Sequence, residues 1–280
     1  MHTWRLLRLS SHTPYENMAI DEAVLSAYEQ GRVGPTLRLY GWEPAGISLG
    51  FGQSLAAVNS VCPEIPRVRR MTGGEAIFHD RELTYSLVTA PNELNLPRSV
   101  RESYLALGAF LIAALASFNV SADYFGIEPE VDSECCFAKP RRFDLAVQGK
   151  KIGGHAQRRR KNVLFQHGSI PLTLDYCRWE KIFNIEEKEL RRRMTSLSEA
   201  AGQDVTMAVT AARVASAFEK TFGVELREAG LTVEETRHSA ELARDKYATR
   251  LWNESRRTHE PRGINSSESC SGCATAGVAV

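Results

Sequence analysis

Two adjacent thiols set the chemistry open to this chain. Cys135 and Cys136 lie in ECCFAKP (134–140), and cysteine attacks as the thiolate, so a competent one needs surroundings that lower its pKa. Lys139, Arg141 and Arg142 follow closely and supply positive potential. Lys151 stands apart from the other cations because it sits beside Ile152-Gly153-Gly154, where a strand can bring it inward next to exposed backbone. The competing reading is plain: a cysteine is often just a small buried hydrophobe.

A second chemical stretch is RRMTGGEAIFHDRELTYSL (69–87). Gly73 and Gly74 carry no side chains, so a ligand can approach the backbone and its amides can face that ligand. A bare TGG is equally a tight turn between strands. Arg69, Arg70, Thr72, His79 and Asp80 shift the reading towards a binding loop without specifying a reaction. Between positions 139 and 161 there are nine Lys or Arg against one acid, Asp144. Such a run is either a solvated face or a docking site for an acidic partner. Nucleic acid is a poor fit, because aromatics are not interleaved with the charges and no groove-entering motif appears. Cys270 and Cys273 form a lone CxxC in a polar tail, with no second pair or histidine to complete a zinc site. No metal is expected. Cys62 and Cys177 read as packing residues.

These residues need a scaffold. Thr13-Pro14 reads as an N-cap with proline at the first helical position, opening a helix that ends near Gly31. TLRLYGW (Thr36–Trp42) and GISLG (46–50) read as strands around a Glu43-Pro44 turn, and ELTYSLVTA as a strand buried on at least one face. Ser99 and Glu102 suggest a capping box. Behind it Tyr104, Leu107, Leu111, Leu115 and Phe118 recur at helical spacing, which reads as core. FDLAVQGKKIGGHAQ reads as two strands joined near Gly149, and NVLFQHGSIPLTL as a third. After about Cys177 the pattern is helical, over 186–194, 205–222 and 233–249, the last opened by a Thr232/Glu235 capping box. From 253 onward apolar periodicity is lost and a disordered tail, 253–280, is expected. The expectation is an α+β (α/β-like) fold: a mixed β-sheet with flanking helices over 1–180, a helical continuation over 181–252 packed on it, then the tail.

Composition is ordinary for a globular protein of 280 residues, with 43% hydrophobic and 25% charged residues and a net charge of +1. The apolar run 105–120 is too short and too broken to span a bilayer. The N-terminus lacks a signal-peptide pattern. Six cysteines are too few for a disulfide scaffold. A cytoplasmic protein with reduced thiols is expected, without membrane contact.

Five ordered stretches, ENMAIDEAV (16–24), LRLYGWEPAGISLGFGQ (37–53), the 69–87 segment, CFAKPRRFDLAVQGKKIGGHAQRRRKNVLFQHGSIPL (136–172) and KYATRLWN (246–253), resemble the lipoate–protein ligase A / octanoyltransferase superfamily, related to biotin protein ligase. The CF…P…FDL pattern ahead of GKKIGG is similar to its cysteine-dependent branch. That branch moves an octanoyl group from octanoyl-acyl carrier protein to a lysine of lipoyl-carrying domains such as the glycine cleavage H protein or 2-oxoacid dehydrogenase E2. The resemblance implies a biotin/lipoate ligase catalytic fold, catalytic Cys136 and Lys151, and no cofactor. It also implies an acyl site built from Arg70, Thr72, Gly73, Gly74, His79, Gly153 and Gly154. A monomer is expected. Glu75 departs from the glycine or arginine usual in the family, and His155 from its serine. An eight-carbon chain wants an apolar slot, which by pattern alone falls to Ile77, Leu83, Tyr85 and Ile152. The alternative on the same scaffold is an ATP-dependent lipoate–protein ligase acting through lipoyl-AMP. A non-catalytic interaction protein is the alternative of a different class.

Overall fold

The computed structural model describes residues 2–55, 62–125, 141–160 and 162–258. Strand β1 (His2–His12) runs into helix α1 (Pro14–Glu29), whose start is a capping box: the Thr13 hydroxyl accepts the Glu16 amide, and the Glu16 carboxylate accepts the Thr13 amide at 3.0 Å. Then come β2 (Thr36–Trp42), β3 (Gly46–Leu49), β4 (Arg67–Arg69), β5 (Ile77–His79) and β6 (Glu82–Thr89). Helix α2 (Val100–Ala116), capped by Ser99, precedes β7 (Asp123–Tyr124), β8 (Leu145–Val147), β9 (Lys150–Arg160) and β10 (Val163–Pro171). Next are α3 (Tyr176–Phe183), α4 (Glu187–Arg193), α5 (Leu197–Ala201), α6 (Met207–Phe222), β11 (Val224–Ala229), α7 (Val233–Leu242) and α8 (Arg250–Ser255).

Eight strands form one mixed sheet in the order β11-β1-β2-β6-β10-β9-β8-β7. β1 is parallel to both β2 and β11, and the remaining neighbours are antiparallel. A three-stranded sheet, β4-β3-β5, stands beside it. The two strands flanking Glu43-Pro44 therefore belong to different sheets. β1 and β11 are additions to the sequence-based expectation, which gave the segment after Cys177 helices only. β1 hides its period because its pairing with β2 shifts register between Leu7 and Ser10. β11 finds its partner only at the far end of the chain. The helix expected over 233–249 stops at Leu242 and passes into a five-residue π turn, Ala243–Tyr247.

Period-2 alternation assigns the two faces of the large sheet. Leu37, Leu39, Leu83, Tyr85, Leu87, Leu164 and Ile170 face α2 and α6, meeting Leu107, Phe110, Leu111, Val214 and Phe218 in the main core. Each large side chain buried there contributes about 1.5–3 kcal/mol. The opposite face packs on α1 and is unusually polar. Arg38 reaches Asp21 at 2.7 Å and the Asn17 side chain at 2.6 Å, while Tyr40 (3.0 Å) and Ser86 (2.8 Å) both donate to Asp21. A buried charge requires such complete pairing. No described helix is long and apolar enough to cross a membrane.

Candidate active site

On this polar face a cavity of about 180 Å³ opens between β2, β3, β5, β9, β10 and the 70–74 loop. Met18, Tyr40, Trp42 and Ile77 give it an apolar wall, and Ser48, His79, Thr84, Lys151 and His167 give it polar groups. Of the four residues expected to form an acyl slot, only Ile77 lines it. Leu83, Tyr85 and Ile152 point to the opposite face and are packed in the main core. The alternation was legible, but not which face carries the cavity.

Lys151 lines the cavity with no solvent exposure, and its Nζ donates to Asp144 Oδ2 at 2.5 Å. Three features fix it. The pairing of β8 with β9 runs Leu145↔Gly153 and then Ala146↔Lys151, so Ile152 is an extra residue on β9. This bulge lets Lys151 and Gly154 share the cavity face although they are three positions apart. The Lys151 carbonyl accepts the Thr195 amide at 2.9 Å, which pins its backbone to the segment after α4. A Cβ at Gly154 would lie 3.1 Å from Lys151 Nζ and 3.0 Å from Asp144 Oδ1, so glycine there leaves the ammonium its place. Gly153 does not line the cavity. Its position faces Ser169, Ile170 and Leu145.

The 70–74 loop is built by Arg70. Its guanidinium donates to Ser48 O (2.9 Å), Ser48 Oγ (3.0 Å), Gly73 O (2.9 Å) and Glu75 O (2.8 Å). Arg70 is thus a clamp that shapes the loop as well as a cavity wall. Gly74 has φ +99°, and a Cβ at Gly50 would lie 1.7 Å from the Gly74 carbonyl oxygen, so the two backbones close on each other only as glycines. Arg69 turns away and holds Gly50, Phe51 and Gln53 carbonyls. From the far end of the chain, Asn253 accepts the Arg69 amide (2.6 Å) and Trp252 donates to the Arg69 carbonyl (2.9 Å). Thr72 is buried against His167, Oγ1 to Nε2 at 2.6 Å. His79 stacks on Trp42 with ring centroids 3.9 Å apart and planes 8° from parallel. Asp80 lies outside the cavity near Arg178, at 3.6 Å.

The departures from the family pattern have clear surroundings. Glu75 forms an ion pair with Arg141, which lines the cavity. His155 Nε2 donates to the Phe143 carbonyl at 2.7 Å, and burial pushes its pKa down. His167 is also depressed, well below its ordinary value, by burial and then by the Arg70 guanidinium. Part of the basic run serves the fold: Arg158 donates to Met71 O at 2.8 Å, and Arg159 to Arg98 O at 3.1 Å. Arg142 is exposed. Cys135, Cys136, Lys139, Lys161, Cys270 and Cys273 lie outside the described residues. Cys177 is exposed rather than packed, while Cys62 is half-buried against the small-sheet core.

Sequence reasoning missed several wall residues. Tyr104, read as core, lines the cavity, accepts the Gln157 amide at 2.8 Å and stacks on Phe143. Trp42, Tyr40, Ser48 and His167 carried no local signal. Asp144 did carry one, as the single acid in the basic run. Among the described residues no group of three or more His, Cys, Asp or Glu is placed to hold a metal ion.

Residues 13–219 match the family model described as the lipoyl protein ligase A/B catalytic domain. The chain is 32% identical over 275 residues to octanoyltransferase LipM of Brevibacillus brevis, covering 90% of this chain and 99% of that protein. It is 36% identical over 272 residues to octanoyltransferase LipM of Kyrpidia tusciae, with the same coverage. Among solved structures, lipoate-protein ligase A bound with ATP superimposes with a TM-score of 0.76 at 21% identity, covering 91% of this chain and 99% of that one. A bipartite lipoate protein ligase from Thermoplasma acidophilum, determined together with its E2 lipoyl domain, gives 0.75 at 21%, covering 91% and 97%. At that identity the two structures speak for the shared fold alone.

Proposed function

We propose, from the premise that this chain belongs to the lipoyl protein ligase A/B catalytic-domain family, that it transfers an octanoyl group from octanoyl-acyl carrier protein to a lysine of a lipoyl-carrying domain. The observation that carries this reading is the pair of octanoyltransferase relatives aligned over nine-tenths of the chain. The chain is an acyltransferase. Its donor and its cysteine chemistry are the proposal.

In this mechanism the Cys136 thiolate attacks the donor thioester, the carrier thiol leaves, and an acyl-enzyme remains. One thioester replaces another, so the exchange is nearly isoenergetic and needs no ATP. The acceptor lysine amine then attacks that thioester and forms an amide, which is downhill. Each tetrahedral state puts negative charge on an oxygen, which preorganised donors stabilise. Lys151 Nζ, buried and held by Asp144, is a fixed positive charge in the cavity wall and takes that role. The Gly73-Gly74 and Gly154 backbone, bare of side chains at the cavity wall, leaves room for the acyl carbonyl. Arg141, exposed at the cavity wall, and its exposed neighbour Arg142 suit an acidic carrier domain.

The test is to mix purified protein with octanoyl-acyl carrier protein, without ATP, and to weigh the intact protein. One octanoyl group should be gained, mapped to Cys136 and absent in Cys136→Ala. An unmodified protein that lipoylates its acceptor only with ATP, and does so equally as Cys136→Ala, would identify a lipoate ligase acting through lipoyl-AMP instead.

A further inference from the structure

We infer that Ser48, His79 and Glu82 form a second acyl-handling centre in the wall of this cavity, one that hydrolyses a bound acyl thioester through a seryl ester. Ser48 Oγ lies 2.7 Å from His79 Nε2, and His79 Nδ1 lies 2.6 Å from Glu82 Oε1. A hydroxyl on one ring nitrogen and a carboxylate on the other is the Ser–His–acid arrangement, which is recognised by geometry on unrelated folds. The carboxylate fixes the tautomer: Nδ1–H donates to Glu82, and the Nε2 lone pair faces the serine proton.

The three residues are rigidly held. Antiparallel pairing of β3 with β5 sets Ser48 opposite Ile77 and Gly46 opposite His79, and Glu82 opens β6 three residues later. The Trp42 stack locks the imidazole plane, and Thr84 Oγ1 donates to Glu82 Oε1 at 2.5 Å, holding the acid. Ser48 and His79 both line the cavity, while Glu82 sits behind them, as the orienting acid must. Arg70 Nη1 stands 3.0 Å from Ser48 Oγ, a fixed cation beside the place where a tetrahedral oxyanion would form.

The chemistry balances with water alone. Ser48 Oγ attacks the thioester carbonyl carbon while its proton passes to His79 Nε2. The carbon–sulfur bond breaks, and the thiol leaves with that proton. A water molecule deprotonated by Nε2 then attacks the ester, releasing the fatty acid and returning the proton to Oγ. This activity would clear the cavity when no acceptor lysine is present. It rests on the reading that the cavity holds an acyl chain.

The test uses full-length Cys136→Ala protein, which removes the transferase thiol, and an alkyl fluorophosphonate probe, which phosphonylates activated serines. A single adduct mapping to Ser48 is expected. Its rate should fall at least about tenfold in Cys136→Ala/His79→Gln and in Cys136→Ala/Glu82→Gln. Release of octanoate from octanoyl-pantetheine should fall at least about tenfold when Ser48→Ala is added. Absence of a Ser48 adduct at saturating probe, in protein with all three residues in place, overturns the inference without appeal to a misfolded variant. So does octanoate release unchanged by Ser48→Ala. Failure of the transferase reading is seen separately, as a missing octanoyl adduct on Cys136 in the unaltered protein.

Discussion

Lys151 Nζ and Asp144 Oδ2 lie 2.5 Å apart, both side chains buried, with Asp144 just before β8 and Lys151 near the start of β9. Such a pair is costly to break from one side, because the remaining charge stays in low dielectric. Asp144→Asn should therefore cost about 3–5 kcal/mol in urea unfolding. Lys151→Met combined with Asp144→Leu should recover most of that loss in stability, and acyl transfer should be abolished because the ammonium is gone. If the double variant regained transfer, the ammonium would not be part of the chemistry.

Gly154→Ala separates geometry from stability. The new methyl meets Asp144 Oδ1 at 3.0 Å and Lys151 Cε and Nζ at 3.1 Å, so the buried pair must shift by a few tenths of an ångström, at a cost of about 1 kcal/mol. Displacing the ammonium should lower the rate of acyl transfer by at least about tenfold. Gly50→Ala is the contrasting variant: its methyl would sit 1.7 Å from the Gly74 carbonyl oxygen, so the loop itself must move and both stability and transfer should fall. Denaturation curves and single-turnover rates on the two variants check this.

Acidification should destabilise the protein through His167. Its folded pKa lies well below the ordinary 6.5, chiefly from burial, and Asp21 at 4.0 Å is already engaged by Arg38, Tyr40 and Ser86. Between those two values the unfolded chain binds a proton that the folded chain refuses. Stability is then full above about pH 6.5 and falls below it, by up to about 1.4 kcal/mol per pH unit. His155, depressed in the same direction by burial, adds to the slope. His167→Gln should reduce the slope of the urea midpoint between about pH 7 and 5 by close to one proton's worth. An unchanged slope would remove His167 from the account.

Leu83→Ala tests which face of the sheet carries the acyl slot. Leu83 is 2% exposed and packed in the main core, away from the cavity. The change should cost about 2–5 kcal/mol, while preference among hexanoyl, octanoyl and decanoyl donors stays as it was. Ile77→Ala, at the cavity wall, should do the reverse, shifting chain preference at small cost in stability. Competition assays with the three donors distinguish them.

Much was legible in the sequence alone. Local signals placed α1 behind its Thr13-Pro14 cap, β2 over Thr36–Trp42 to the residue, and the turn at Gly149, where φ is +76°. These features depend on a few neighbouring residues, and so a linear pattern encodes them. The five ordered stretches also gave the family, while Lys151, Gly73 and Gly74 stood out among their neighbours, and all three line the cavity. What only the tertiary structure decided are the partnerships between side chains. Asp144 became the counter-ion of Lys151, His167 met Thr72 from ninety-five positions away, and Ser48, His79 and Glu82 converged from three strands. Alternation along Glu82–Thr89 separates Leu83 from Thr84, yet it cannot say which side receives helices α2 and α6 and which receives the cavity. That choice belongs to whatever packs across the sheet, and no residue carries it locally.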